Sequence, residues 1–313
     1  MMDALPVVDI SAPVAAAVLG RALEEIGFAY VAGHGVPQNV IDGAFAASRA
    51  FHASTLAQKQ SLAINAWHRG YMGMATSTVV TSSVAKVTRP NLSESLMIMH
   101  EPAADEIGEP LQGPNQWPGW LPEFRPAIEA YSEAAERVSR AVIRLIAVAL
   151  GLPVTSLDKH FDRPTSFLRL LHYPPHPVDA SDDQFGAAPH TDYGIITLLA
   201  QDNSGGLQVR RRDGGWIDAA PLQGTFVLNV ADMLARWTND RFVSTPHRVV
   251  NRSGGDRYSL PFFFDTAMES VIECLPTCTG PGNPPRYEKV RYGDYLMNRL
   301  NRNYDYRKGE AAE

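Results

Sequence analysis

His247-Arg248-Val249-Val250-Asn251 and Tyr258-Ser259-Leu260-Pro261-Phe262-Phe263-Phe264-Asp265 read as two short β-strands on either side of the turn Gly254-Gly255. Their β-branched and aromatic side chains suit a pleated surface packed on another layer. The same pattern runs back up the chain through Ser166–Tyr173, Ile195–Gln201, Leu207–Arg210, Trp216–Asp218 and Thr225–Val230, and forward to Val271–Leu275. Gly205-Gly206 and Gly214-Gly215 mark further turns. About eight short strands at this spacing predict a β-sandwich or barrel.

The first half reads differently. Val14 to Ile26 is rich in Ala and Leu and predicts a helix. Gly27-Phe28-Ala29-Tyr30-Val31 is a short β-type run, and a second helix is expected from Gln38 to about Phe51. The clearest helix spans Pro122 to Leu150, where Ile128, Tyr131, Ala135, Val138, Val142 and Leu145 recur at steps of three and four. Gly151 and Pro153 stop it. One apolar stripe on so long a helix needs a sheet to cover, so an α+β fold is expected. A last helix is expected from Tyr287 to about Leu300.

Composition sets limits on function. In 313 residues, 45% are hydrophobic and 20% charged, as in ordinary globular proteins. The net charge of −6 argues against a broad nucleic-acid surface, which needs a basic excess. Met1 to Ile10 holds Asp3 and Asp9 and no basic segment, so it does not read as a signal peptide. No apolar run reaches the ~18 residues of a membrane span. Two cysteines, Cys274 and Cys278, make no disulfide framework and lack two further ligands for zinc, which suits a reducing compartment. A cytoplasmic location is expected.

Nine histidines are present. His34, His52, His68, His100, His160 and His176 each stand alone among turn or surface residues and read as ordinary side chains. His190 differs, because Pro189-His190-Thr191-Asp192 places an imidazole and a carboxylate two residues apart, on one side of an extended chain. H-x-D alone is a weak signal. His247, which opens another predicted strand, adds a third donor. Two histidines and one carboxylate on neighbouring strands form a facial triad with open positions, although zinc could take the same ligands. Arg257 and Ser259 then share one strand face, and a guanidinium beside a hydroxyl suits a single carboxylate.

These residues, in order, resemble the isopenicillin N synthase-like iron(II)/2-oxoglutarate oxygenases across nearly the whole chain. The resemblance is carried by Leu5-Pro6-Val7-Val8-Asp9-Ile10, by Gly27-Phe28-Ala29-Tyr30-Val31-Ala32-Gly33-His34-Gly35-Val36 and by Asn115-Gln116-Trp117-Pro118. It continues through Leu171-His172-Tyr173-Pro174-Pro175, His190-Thr191-Asp192, Gly206-Leu207-Gln208-Val209, Asn229-Val230-Ala231-Asp232, Ser244-Thr245-Pro246-His247-Arg248-Val249 and Arg257-Tyr258-Ser259-Leu260-Pro261-Phe262-Phe263. Leu171 departs from the plant pattern, which has an amide there.

The resemblance implies a double-stranded β-helix, or jelly roll, wrapped by helices. It implies a single oxygenase domain over 1–313: a mainly helical region at 1–164, a core with the metal site at 165–280 and a C-terminal helix at 281–313. It implies Fe(II) on His190, Asp192 and His247, with Arg257, Ser259 and Tyr173 on the far carboxylate of 2-oxoglutarate. With O2, such an enzyme oxidises a C–H bond of a small-molecule metabolite by hydroxylation, desaturation or cyclisation, and releases succinate and CO2. No side-chain general base is required. Tyr71, Arg89, Glu94, Phe262 and Phe264 fall where family members often touch substrate, although Phe262 and Phe264 equally suit strand packing. Two alternatives stay open at this level: a same-fold iron oxidase that does not use 2-oxoglutarate, and a jelly-roll metal- or ligand-binding protein without turnover.

Overall fold

The computed structural model describes residues 4–74, 76, 84, 87, 89–103, 107, 110–177 and 183–307. Strand β1 (Val7–Asp9), helix α1 (Ala15–Glu25), strand β2 (Phe28–Ala32) and helices α2 (Gln38–His52) and α3 (Leu56–Gln60) come first. Strands β3 (Gly70–Met72) and β4 (Glu94–Met99) then precede the long helix α4 (Phe124–Ala149). The strand-rich half contains β5 (Thr165–Tyr173), β6 (Ala187–His190), β7 (Ile196–Gln201), β8 (Leu207–Arg210), β9 (Trp216–Asp218) and β10 (Phe226–Val230). Helix α5 (Asp232–Trp237), β11 (His247–Val249), β12 (Arg257–Asp265), β13 (Val271–Ile272), β14 (Val290–Arg291) and α6 (Tyr292–Asn303) complete the chain.

Two sheets face each other. The larger has the order β1-β2-β10-β7-β12-β5-β4-β3, and the smaller β6-β11-β8-β9. Between them Phe28, Tyr30, Leu171 and Val227 pack on Leu207, Val209, Ile217 and Val249. This is the interior of a jelly roll. Strand alternation turns the intervening residues outward. Ala29, Val31, Leu198, Leu228, Leu260 and Phe264 join a second core with Leu19, Leu23, Val138, Val142 and Ile146 of the helices. Helices α1 and α4 therefore cover the outer face of the larger sheet, while α6 sends Leu296 and Leu300 to the cavity between the sheets.

Helix α4 buries Ile128, Tyr131, Ala135, Val138 and Val142 of the predicted stripe, but the sixth position, Leu145, is only partly covered and its neighbour Ile146 takes the core place. Its end is closed by Gly151, whose φ of +75° is open to glycine at little cost.

Several elements differ from expectation. The first half contributes β1 to β4 to the larger sheet, so it is less purely helical than its sequence suggests. Strand β4, Glu-Ser-Leu-Met-Ile-Met, is buried at every position and so lacks the alternation that marks a half-exposed strand. The last helix begins at Tyr292 rather than Tyr287, because Val290 and Arg291 pair with Ile272 and Val271. Both cysteines are free and buried. Among the described residues no helix is long and apolar enough to cross a membrane.

Phe264 is fully buried and stacks on Phe161 at 5.0 Å and 10°, whereas Phe263 is half-buried on the inner face. Phe264→Ala is expected to lower unfolding free energy in urea by about 3–5 kcal/mol, and Phe263→Ala by clearly less. Equal losses would contradict this division of faces.

Candidate metal centre and cavity

His190 and His247 are opposite partners in the antiparallel pairing of β6 with β11. Their rings stand 4.4 Å apart. Asp192 lies just past β6, in the loop that leads into β7. Its main-chain carbonyl accepts the Asp232 N–H at 2.8 Å. The loop can pack so tightly because residue 194 is glycine: a Cβ there would fall 1.7 Å from Asp265 Oδ1, which accepts the Ile195 N–H at 2.6 Å.

The three side chains converge. Asp192 Oδ1 lies 3.7 Å from His190 Nε2 and 3.8 Å from His247 Nε2, and the three donor atoms all lie within 4.8 Å of one another. The outer nitrogens are already used. His190 Nδ1 donates to Ala188 O at 2.7 Å, and His247 Nδ1 to Thr245 O at 3.3 Å. Each imidazole therefore presents the lone pair of Nε2 inward. Asp192 is split in the same way: Oδ2 accepts from the Thr197 hydroxyl and from Asn229 Nδ2 at 2.8 Å, leaving Oδ1 for the centre.

The electrostatics agree with a metal site. Burial favours the neutral acid at Asp192, but the His247 and His190 imidazoles and the Thr197 and Asn229 hydrogen bonds outweigh it and hold the carboxyl below its ordinary value. Burial and the neighbouring His190 lower His247 to about 4, so its ring is neutral at pH 7. One carboxylate oxygen and two inward-facing Nε2 atoms are the donor set of a 2-His-1-carboxylate site.

The same cavity holds a buried cation. Arg257 is 1% exposed. Its Nε donates to Gly205 O at 2.6 Å and its Nη1 to Ser259 Oγ at 3.3 Å, while buried Nη2 has no partner among the described residues. The Tyr173 ring lies 4.8 Å from the guanidinium carbon, and Tyr173 is the register partner of Arg257. Arg257, Ser259 and Tyr173 all line the cavity with the three metal-type donors. A buried guanidinium with an orphaned donor is costly unless an anion completes it.

The structure brings none of the five residues expected near substrate to this cavity. Tyr71 and Glu94 face the helices. The buried Glu94 carboxylate accepts from Lys59 and His172, each at 2.8 Å, and from the Tyr71 hydroxyl. Burial alone would raise its pKa, but these three bonds win and hold it at about 2. Phe262 and Phe264 lie in the core shared with the helices. Arg89 pairs with Asp183 at 3.4 Å, both about half exposed. The inner face is instead lined by Phe167, Arg169 and Phe263, with His68, Ser93 and Met97 beside them. Alternation could have found them: Phe263 shares parity with Arg257 and Ser259, and Arg169 with Tyr173. His52 and His68, expected in turns or at the surface, are 5% and 1% exposed.

Residues 164–266 match the family model described as 2OG-Fe(II) oxygenase superfamily, and residues 5–119 match non-haem dioxygenase in morphine synthesis N-terminal. A 2-oxoglutarate-Fe(II) type oxidoreductase of Emericella nidulans is 34% identical over 290 residues, covering 89% of this chain and 81% of that protein. Kihadalactone A synthase of Citrus sinensis is 35% identical over 296 residues, covering 91% and 87%. A full-length Neurospora crassa protein crystallised with alpha-KG and thymine superposes with a TM-score of 0.85 at 30% identity, covering 95% of this chain and 96% of that one.

Asn229 touches the metal-facing carboxylate only through Oδ2. Asn229→Ala is expected to leave the fold intact and weaken Fe(II) binding by about 10–100-fold in equilibrium dialysis. Unchanged affinity would show that this bond does not orient Asp192.

Proposed function

Because the chain belongs to the 2OG-Fe(II) oxygenase superfamily and is a 2-oxoglutarate/Fe(II)-dependent oxidoreductase, we propose that His190, Asp192 and His247 hold the Fe(II) and that Arg257, with Ser259 and Tyr173, binds the far carboxylate of 2-oxoglutarate. The orphaned Arg257 Nη2 carries this reading most directly. Residues 1–313 act together as one oxygenase domain on a small-molecule metabolite.

Fe(II) with O2 and 2-oxoglutarate supplies the oxidising chemistry for a C–H bond, with succinate and CO2 as coproducts. The chain's own residues have simpler tasks. Thr197 and Asn229 keep one oxygen of Asp192 turned away, so that the other faces the two imidazoles. Ala188 and Thr245 fix the histidine tautomers. Arg257, pinned by the Gly205 carbonyl, offers its remaining N–H groups to one carboxylate and sets the position of the cosubstrate. The apolar side chains between the sheets exclude water from the centre.

Fe(II)-dependent formation of succinate from 2-oxoglutarate in air tests these roles. His190→Ala and Asp192→Ala are expected to abolish it while the protein stays folded. Arg257→Gln is expected to raise the half-saturating 2-oxoglutarate concentration by about tenfold or more, the scale of one lost charge-assisted pair. Unchanged succinate formation in the first two variants, or unchanged half-saturation in the third, would refute the assignments.

A further inference from the structure

The cavity carries a second guanidinium that the proposed function does not use. Strand β5 turns Phe167, Arg169, Leu171 and Tyr173 to the inside. Arg169 stands four residues before Tyr173, about 13 Å along the strand at ~3.3 Å per residue. Tyr173 marks the level of Arg257. The two cations therefore sit at separate levels of one chamber, and a single 2-oxoglutarate carboxylate occupies only one.

Arg169 is held in place without being neutralised. Its Nε donates to Ser95 Oγ at 2.9 Å, which fixes the guanidinium plane and leaves both Nη groups for a ligand. Among the described residues that line the cavity, the only carboxylates are Asp192 and Asp265. Asp192 faces the metal centre, and Asp265 is engaged by the Ile195 N–H. The walls near Arg169 are apolar or aromatic, including Met97, Phe167 and Phe263.

His68 belongs to this end of the chamber. It is 1% exposed, has a φ of +61°, and packs edge-on against Phe167 and Tyr304 at 5.9 and 4.7 Å. Its Nδ1 is bonded to the Tyr306 hydroxyl. A non-glycine residue held in the left-handed region is a conformation that surrounding structure must enforce. Burial, then the charges of Arg307, Arg169 and Arg69, lower His68 to about 3. The ring is therefore neutral, and the described residues lining this end of the chamber carry the Arg169 charge with no carboxylate beside it.

We propose that Arg169 anchors a carboxylate on the primary substrate, and that this substrate is a small organic acid with an apolar body and no cationic group. The fork of Arg169 takes the carboxylate, the apolar walls take the body, and the C–H bond to be oxidised is presented toward His190, Asp192 and His247. Among the described lining residues, a cationic or zwitterionic molecule would find no free carboxylate to meet its buried positive charge. This inference rests on the assignment of Arg257 to 2-oxoglutarate, and the test separates the two.

Succinate release by the Fe(II)-loaded protein is measured with a panel of small aromatic and aliphatic monocarboxylic acids, each paired with its amide. At least one acid is expected to stimulate release at a concentration about tenfold or more below that of its amide. Arg169→Gln is expected to remove this preference and leave the half-saturating 2-oxoglutarate concentration unchanged. Arg169→Lys keeps the charge but loses the fork. It covers the case of a glutamine variant that does not fold, and is expected to keep the acid preference at weaker half-saturation. A wild-type protein for which no acid surpasses its amide, or an Arg169→Gln protein that keeps the preference, would overturn the proposal. So would a loss of 2-oxoglutarate binding in Arg169→Gln, because it would give Arg169 to the cosubstrate. Failure of Arg257→Gln to weaken 2-oxoglutarate would instead overturn the reading beneath it.

Discussion

The Asp192 carboxylate divides its two oxygens between the sheets. Oδ2 is held by Thr197 on β7 and Asn229 on β10, both in the larger sheet. Oδ1 faces His190 on β6 and His247 on β11, both in the smaller sheet. A buried anion at this point is tolerated because both sheets supply partners for it. The loop that carries it depends in turn on Gly194, where any Cβ would strike Asp265. Metal-ligand geometry, sheet spacing and loop path are thus one constraint. Loss of any of these partners leaves a buried charge unmet.

Much of the site was legible in the sequence because extended chain has a rigid period of two. Arg257-x-Ser259 presents like-facing groups on β12, whereas Asp192 reaches the same cavity from the loop just past β6 rather than by strand alternation with His190. The pairing of His190 with His247 was not legible, since register between distant strands depends on tertiary packing. Asn229 was visible as a family element, but its bond to Asp192 was not. Substrate-facing positions were placed on the wrong parity: Phe262 and Phe264 are the neighbours, not the equivalents, of Ser259, and Phe263 takes the inner face. Strand β4 escaped the pattern because it is buried on both sides, so Glu94 could not be assigned a face from sequence. His68 gave no signal at all, since its burial depends on Phe167 and Tyr304 from remote segments.

Charge is distributed in the cavity by function. The metal centre contributes one carboxylate, while Arg257 and Arg169 contribute two guanidiniums at different levels. Each cation has part of its hydrogen-bonding capacity fixed by the protein, through Gly205 for Arg257 and Ser95 for Arg169. The remaining donors are thereby aimed rather than free to rotate. Such preorganisation lowers the entropic cost of binding an anion.

The central claim is that Fe(II) and 2-oxoglutarate bind together at His190, Asp192, His247 and Arg257. Anaerobic titration of the Fe(II) protein with 2-oxoglutarate, followed in visible absorption, tests it most directly. A weak charge-transfer band that saturates at equimolar 2-oxoglutarate in the wild-type protein, and is absent from Asp192→Ala, is the predicted result. No band in the wild-type protein, or an undiminished band in Asp192→Ala, would contradict it.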